Sequence, residues 1–444
     1  CKCAGSLELL CRALPVAEAL REARLLARVH RALGLLHVWV GPPDKAIEHG
    51  ERAIELADRV GDLSVGFWAR WGLAVLAGMR GDTARMMRGV EEINDMADRY
   101  RSPVLRLWTT DMLVEHDFAT GEWVAGLARG EKAIALARSL HQRTLLPRLL
   151  VWTSQFHVGR GDLERAEELV TEAVELAGIG DEESTVDVHR VVPTYIGLAH
   201  YLVHLGDFDD AIDAARKGLE IAEGTGYTLW AMHQLLPILG EACIWAGRLD
   251  EAEEVGQRMR EHAERIDHAL GRIWADACDA LVCWKRGDPE GAVDGMLAAA
   301  DAFEAIPVTW PATRLRRQLA GRLYDIGRPE EAAAQLAKVH AECVRLGAGL
   351  ELEKTRIMYR EQGLRPPPVT NPDQPLGLTP AELQVAVLVA RGMSNGKIAA
   401  TLGCATGTVR THLQNIYKKL DIGGTGARYR LAELVREAGL LDQD

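Results

Sequence analysis

A chain of 444 residues exceeds what one hydrophobic core normally organises, so several domains or an extended repeat array are expected. With 48% hydrophobic residues, 26% charged residues and only 17 Pro and 43 Gly, it is neither disordered nor fibrous. Its net charge of −12 excludes a protein that coats nucleic acid with its whole surface, but the charge is uneven: residues 1–363 carry more than all of the excess, whereas Arg391 to Arg430 hold seven basic residues against Asp421 alone.

The start has no basic region followed by an apolar run and a small-residue cleavage site, and no run of about 18 apolar residues occurs anywhere. A cytoplasmic protein without a membrane partner is expected. The cysteines at 1, 3, 11, 243, 278, 283, 343 and 404 form no paired CxxC or Cys/His zinc spacing, and are read as reduced thiols. The chain opens at Cys1 and not at Met, and the two expectations for this are a fragment of a longer protein or a trimmed gene model.

One pattern then dominates: a glycine, often followed by an acid or arginine, with alanine five residues on. It recurs as Gly161…Ala166, Gly206…Ala211, Gly247…Ala252, Gly287…Ala292 and Gly327…Ala332, with weaker copies at Gly41, Gly81 and Gly121. The glycine-to-glycine steps are 40, 40, 40, 45, 41, 40 and 40 residues, the signature of a solenoid. In the unit after Gly206, Phe208, Ala211, Ile212, Ala215, Leu219 and Ala222 mark one helical face. The glycine can end one helix at positive φ, Asp207 can cap the next, and the alanine lets their axes approach, which predicts a helical hairpin per unit. Trp68, Trp108 and Trp274 stand 13 residues before the next repeat glycine, and Trp230 and Trp310 stand 17 before theirs; this register predicts packing between hairpins. The five extra residues of the Gly161–Gly206 step fall around an acidic loop, Gly178 to Glu183. Over roughly residues 20–350 the array resembles tetratricopeptide repeats, in the lengthened form found in large bacterial regulators.

The pattern stops after Gly363. Five prolines between Pro366 and Pro375 block helix and favour extended backbone, which makes 364–377 a linker between a solenoid at 1–363 and a C-terminal domain at 378–444. That domain opens with Thr379 as N-cap and Glu382 completing a capping box; Leu383, Val387, Leu388 and Ala390 are the expected inner face, and Gly392 ends the helix. A second helix from Ser394 turns Ile398, Ala399 and Leu402 inward. A third, about Thr406 to Leu420, has Val409, Leu413, Ile416 and Leu420 at steps of 4, 3 and 4, which leaves Arg410, Thr411, Gln414 and Lys418 on other faces. Such a helix fits a major groove, where arginine grips guanine and glutamine pairs with adenine.

The runs Leu378-Thr379-Pro380-x-Glu382, Ala390-Arg391-Gly392-Met393-Ser394-Asn395-x-x-Ile398-Ala399 and Thr408-Val409-Arg410-Thr411-His412-Leu413-x-Asn415-Ile416-Tyr417-Lys418-Lys419-Leu420 resemble the helix-turn-helix domain of LuxR-family bacterial regulators. The resemblance implies base reading by Arg410, Thr411 and Gln414. Phosphate contacts are expected from Lys397, Thr408, Tyr417, Lys418, Lys419 and Arg428, with Arg428 or Arg430 supplying those that the altered turn at Gly423 to Gly426 would otherwise make. The last helix, about Gly426 to Ala438, is expected to close a four-helix bundle and to contribute to a homodimer. A tetratricopeptide-like array ahead of such a domain is similar to the large MalT-like, ATP-binding members of the family. Three departures stand out: Ala405 replaces a serine cap, Lys397 replaces a glutamate, and Gly423 to Gly426 replace a basic turn.

The whole therefore reads as all-α: a superhelical solenoid of about eight tetratricopeptide-like hairpins followed by a small helix-turn-helix bundle. No GxxxxGK[ST] loop is present, so an ATPase region, if the protein has one, lies outside this sequence and no cofactor is assigned; no catalytic motif is found either. The leading expectation is a transcription activator that binds double-stranded DNA, takes a protein or small-molecule effector on the solenoid, and contacts RNA polymerase. The alternative is an interaction scaffold or inhibitory regulator that has lost strong DNA binding through the altered cap and turn.

Overall fold

The computed structural model describes residues 3–179, 187–367, 370–371, 374–438 and 440–441. Chain contacts divide the protein into two compact units, Cys1–Ala332 and Ala333–Asp444. In the first, helices follow one another closely: α1 (Cys3–Leu20), α2 (Ala23–Val40), α3 (Pro43–Val60), α4 (Leu63–Met79), α5 (Thr83–Arg99), α6 (Pro103–Thr120), α7 (Trp123–Ser139) and α8 (Leu146–Arg160). The run continues with α9 (Leu163–Ala177), α10 (Val188–Leu205), α11 (Phe208–Thr225), α12 (Thr228–Trp245), α13 (Leu249–Ile266), α14 (Ala269–Arg286), α15 (Pro289–Ala305) and α16 (Thr309–Asp325). Among the described residues, α2–α3 through α14–α15 pair as successive antiparallel hairpins, the solenoid that the forty-residue period predicts.

The repeat glycine does what its position requires. Gly206 takes φ 88° as its amide closes on Leu202 and Val203, a left-handed turn that a Cβ would oppose, and α11 starts two residues later. The other seven repeat glycines also take positive φ, although Gly41, at φ 83° and ψ 177°, lies outside the left-handed helical region. A second set of left-handed residues lies midway between them, and three of these, Arg101 (φ 50°), His141 (φ 54°) and Asp267 (φ 50°), are not glycine. The structural period is therefore about twenty residues, half of the sequence period.

Asp82 and Asp288 cap the helices after their glycines, accepting the amides of Arg85 (2.9 Å) and Gly291 (3.2 Å). Asp207 makes no side-chain cap bond, contrary to the expectation for its unit. Asp162 makes none either; its Oδ2 meets His157 Nδ1 at 3.1 Å instead. Packing follows the predicted stripe: Ala211, Ile212, Ala215 and Ala222 are fully buried on α11, with Leu219 beside them. Burial of a side chain such as Ile212 or Leu219 stabilises by roughly 1.5–3 kcal/mol. At Gly218 an added Cβ would stand 3.0 Å from Tyr195 Cβ and 2.9 Å from Leu235 Cδ1, so the axes approach there too.

Even-numbered helices form the inner layer of the coil. In α8 every residue from Leu146 to Gly159 is buried, which explains why that helix shows no polar face. The inner layer turns back on itself: Arg80 Nη2 reaches Asp267 Oδ2 at 3.0 Å, and Gln234 Nε2 donates to Glu115 Oε1 at 2.7 Å. Trp39 meets Tyr227 with ring centroids 5.0 Å apart, and Trp123 meets Trp310 at 4.6 Å. The closed coil surrounds a cavity of about 220 Å³. Trp68 and Trp108 pack edge to face at 5.5 Å, as their register predicts. Trp230 and Trp310 are buried as well, but with Trp274 they also form cavity wall, which the register did not reveal. The acidic insertion lies outside the described residues from position 180 to 186.

In the second unit, α17 (Pro329–Leu346), which begins just before its boundary, and α18 (Gly349–Glu361) are followed by a minimal antiparallel pair. β1 (Thr370–Asn371) faces β2 (Gln374–Pro375), with Thr370 opposite Pro375 and Asn371 opposite Gln374, where the sequence predicts only extended chain. Four helices then form a bundle: α19 (Pro380–Ala390), α20 (Asn395–Leu402), α21 (Thr406–Lys419) and α22 (Ala427–Glu437). Its centre is Val385, Ala386, Ile398, Val409, Ile416, Leu431 and Val435. The inner face expected for α19 needs correction: Leu383, Val387 and Leu388 are only half-buried, while Val385, Ala386 and Val389 are buried beside Ala390. Because α19 packs against both α21 and α22, its inward arc centres between two partners and not on one. Among the described residues, no His, Cys, Asp or Glu cluster is placed to hold a metal, and no helix is long and apolar enough to cross a membrane.

Candidate nucleic-acid interface

Two turns set the orientation of α21. Ser394 Oγ accepts the Lys397 amide at 3.4 Å to start α20, and Gly403, at φ 63°, ends it. Ala405 then takes the extended N-cap conformation (φ −73°, ψ 147°) without any side-chain cap bond, so α21 starts uncapped. Its anchorage is the buried triad Val409, Leu413 and Ile416. The four- and three-residue steps of that triad put Thr408, Arg410, Thr411, Gln414 and Lys418 outside, and all five are exposed. Thr411 Oγ1 donates to the Gly407 carbonyl at 3.2 Å, which leaves its oxygen lone pairs available to a base edge or a water.

The remaining candidates are unequal. Lys397 is exposed on α20, and Tyr417 is half-buried against the bundle core. Lys419 is exposed, yet its Nζ lies 2.5 Å from Glu382 Oε2. Arg428 is half-buried: Nη1 donates to Asn395 Oδ1 at 2.8 Å and Nη2 to the Met393 carbonyl. This fork clasps the start of α22 to the turn before α20, so a phosphate reaching Arg428 must share or displace those bonds. Arg430 Nη1 is paired with Glu433 at 3.0 Å. Thus Arg410, Thr411, Gln414 and Lys418 lie together on one helix, whereas Lys419 and Arg428 also hold the bundle together.

Two features of the surface were not singled out from sequence. Asn415 is exposed one turn from Thr411 and three residues from Lys418, a spacing that could have identified it. Gly407 has open space where a Cβ would stand, with nothing within 4 Å, so a duplex backbone can approach the first turn closely.

Glu382 is the electrostatic centre on the inner side. Burial alone would raise its carboxyl, but the Lys419 ammonium together with the Thr379 amide and hydroxyl outweighs this and holds it below the ordinary glutamate value. The capping box is complete, with Glu382 N to Thr379 Oγ1 at 3.3 Å and Thr379 N to Glu382 Oε2 at 2.9 Å.

Residues 376–432 match the luxR family of bacterial regulatory proteins. The transcriptional regulatory protein MctR of Rhizobium johnstonii is 44% identical over 55 residues, 12% of this chain and 26% of that protein, so the match spans about a quarter of the relative's length. A Rap protein complexed with competence and sporulation factor superposes with a TM-score of 0.53 at 12% identity, over 81% of this chain and 99% of the other. A signal transduction ATPase of the STAND class with a tetratricopeptide repeat sensor, from Pyrococcus horikoshii, gives 0.44 at 15% identity, over 76% and 50%. At such identities the Rap likeness concerns the fold alone. The chain is thus an all-α solenoid of helical hairpins followed by a helix-turn-helix domain of the luxR type.

Proposed function

We propose that the protein is a sequence-specific DNA-binding transcription regulator, an activator in which residues 1–363 receive a signal, 364–377 link, and 378–444 read DNA. The observation that carries this reading is α21, anchored by Val409, Leu413 and Ile416 while Arg410, Thr411 and Gln414 stand exposed. These three side chains read bases. Lys397, Thr408, Tyr417 and Lys418 contact phosphates, and Lys419 and Arg428 join them by sharing their internal partners. The Rap protein was crystallised with a factor bound, which supports an effector, protein or small molecule, for a solenoid of this fold. A homodimer through α22, where Tyr429 is 68% exposed, and a contact with RNA polymerase belong to the same proposal. The MalT-like arrangement, with an ATP-binding module encoded ahead of Cys1, is tested by reading the gene upstream.

The deciding experiment selects genomic fragments on the full chain at fixed salt and repeats the selection with Arg410→Ala. Enrichment of a common sequence that the variant loses is expected. Uniform recovery of all fragments by both proteins overturns the reading, and stoichiometric capture of a protein partner without DNA leaves the scaffold reading in its place.

A further inference from the structure

The cavity within the coil has a definite chemistry. Its volume of about 220 Å³ is more than ten times what one water needs, roughly 10–15 Å³ by the same measure. Five tryptophans, Trp39, Trp152, Trp230, Trp274 and Trp310, contribute to its wall. Trp152 and Trp310 are each 4% exposed, and neither indole N–H has an acceptor among the described residues.

The charges do not balance. Arg314 grips Glu241 through both terminal nitrogens, Nη1 to Oε2 at 3.1 Å and Nη2 to Oε1. Arg148 is committed to Asp111, with Nε to Oδ2 at 2.8 Å, and its guanidinium lies 4.8 Å from the Trp230 ring centroid. Glu115 remains. Its Oε2 stands 3.9 Å from Arg148 Nη2, too far for a hydrogen bond, and Gln234, a neutral donor, holds its Oε1 at 2.7 Å. The Glu115 side chain is 26% exposed, against 7% for Arg148 and 0% for Asp111, so it is the acid of this group that faces open space.

Among the described residues around Glu115, no other group supplies the missing positive charge. The nearby histidines, His116 on its own helix, His189 and His200 on α10 and His233 on α12, are all driven toward the neutral form by burial, His233 to about 3. Three carboxylates, Asp111, Glu115 and Glu241, therefore meet two arginines.

We propose that this cavity binds a small organic cation, a protonated or quaternary amine on an apolar body, with Glu115 as its counter-ion, the tryptophan rings as its cage, and an oxygen acceptor on the ligand for an indole N–H. The inference deepens the sensing role proposed above and rests on it. Burial, partly offset by Arg148, pushes the Glu115 carboxyl up to about 7, so a bound cation draws it fully into the ionised form. An anion would meet the unbalanced carboxylate, since both arginines are already paired.

Three probes of one shape test this on the full chain by calorimetry and tryptophan fluorescence: phenethylammonium, 2-phenylethanol and 3-phenylpropanoate. Phenethylammonium is expected to bind about ten-fold more tightly than the alcohol, with the carboxylate weakest. Glu115→Gln, which keeps the acceptor for Gln234, should remove most of that preference. The wild-type chain supplies a measurement that needs no substitution: the ammonium preference should grow from about pH 6 to about pH 8 as Glu115 ionises, while the alcohol's affinity stays flat. Strongest binding by the carboxylate, no binding of phenethylammonium at millimolar concentration, or a preference indifferent to both pH and Glu115→Gln overturns the proposal. DNA selection on the same preparation separates the two readings: selective DNA binding without the ammonium preference removes only the cavity proposal, and the reverse removes only the DNA reading.

Discussion

Lys419 Nζ sits 2.5 Å from Glu382 Oε2, so one carboxylate serves both as the N-terminal capping box of α19 and as the anchor for the last turn of α21. The Glu382 carboxyl is held below its ordinary value in the folded protein and returns to it on unfolding. Its contribution to stability is therefore present above the ordinary value of 4.5 and is lost as pH falls through the depressed one. Denaturant titrations across that acidic range should show a loss in the wild-type domain that Glu382→Gln lacks. At neutral pH the same substitution should cost about 1–2 kcal/mol, and equal stability of the two proteins would show that the box contributes nothing. Lys419→Ala should cost no more than about 1 kcal/mol, since its side chain is 39% exposed.

Ala405→Ser gives α21 the side-chain acceptor it lacks. Stabilisation of about 0.5–2 kcal/mol is expected, read as a rise in the thermal midpoint of the bundle. A midpoint that stays put would mean that Thr406 or another group already satisfies those amides.

Arg410→Ala and Lys418→Ala should fail differently. The first removes about 1–3 kcal/mol of discrimination at one base position with little change in salt dependence. The second weakens binding to every sequence alike and lowers the slope of log affinity against log salt by about one phosphate. Identical effects of the two on specificity and on slope would contradict the division of roles along α21.

Asp111 is fully buried against Arg148 within the solenoid. Asp111→Asn strands a buried guanidinium and should cost about 3–5 kcal/mol in chemical unfolding. Replacing both by apolar residues of similar volume should recover much of that, and a double variant no better than the single one would contradict the account.

The parts of the protein legible in its sequence are those whose geometry has a residue requirement. Gly206 and its counterparts announce themselves because a left-handed turn favours glycine, and Ala211 because a close helix crossing leaves room for little more than a methyl. Arg101, His141 and Asp267 make the same left-handed turn with side chains that carry no such mark, so the twenty-residue half-period stayed hidden. The capping box of Thr379 and Glu382 was readable because both partners lie within one turn. The pairs Glu115–Gln234 and Arg80–Asp267 were not, because 119 and 187 residues separate their members and nothing local records the meeting. The burial order on α19 was displaced for a related reason: periodicity locates a stripe, and two packing partners decide which part of it is central.

These two distant pairs restrict how the array can change. A solenoid with open ends can gain or drop a unit and keep its remaining neighbours, since each hairpin answers only to the next. Here a forty-residue insertion between Arg80 and Asp267 would carry one member a whole hairpin past the other and open the ring. The unit count between the clasped helices is thus a condition of closure, in the way that strand number is for a barrel.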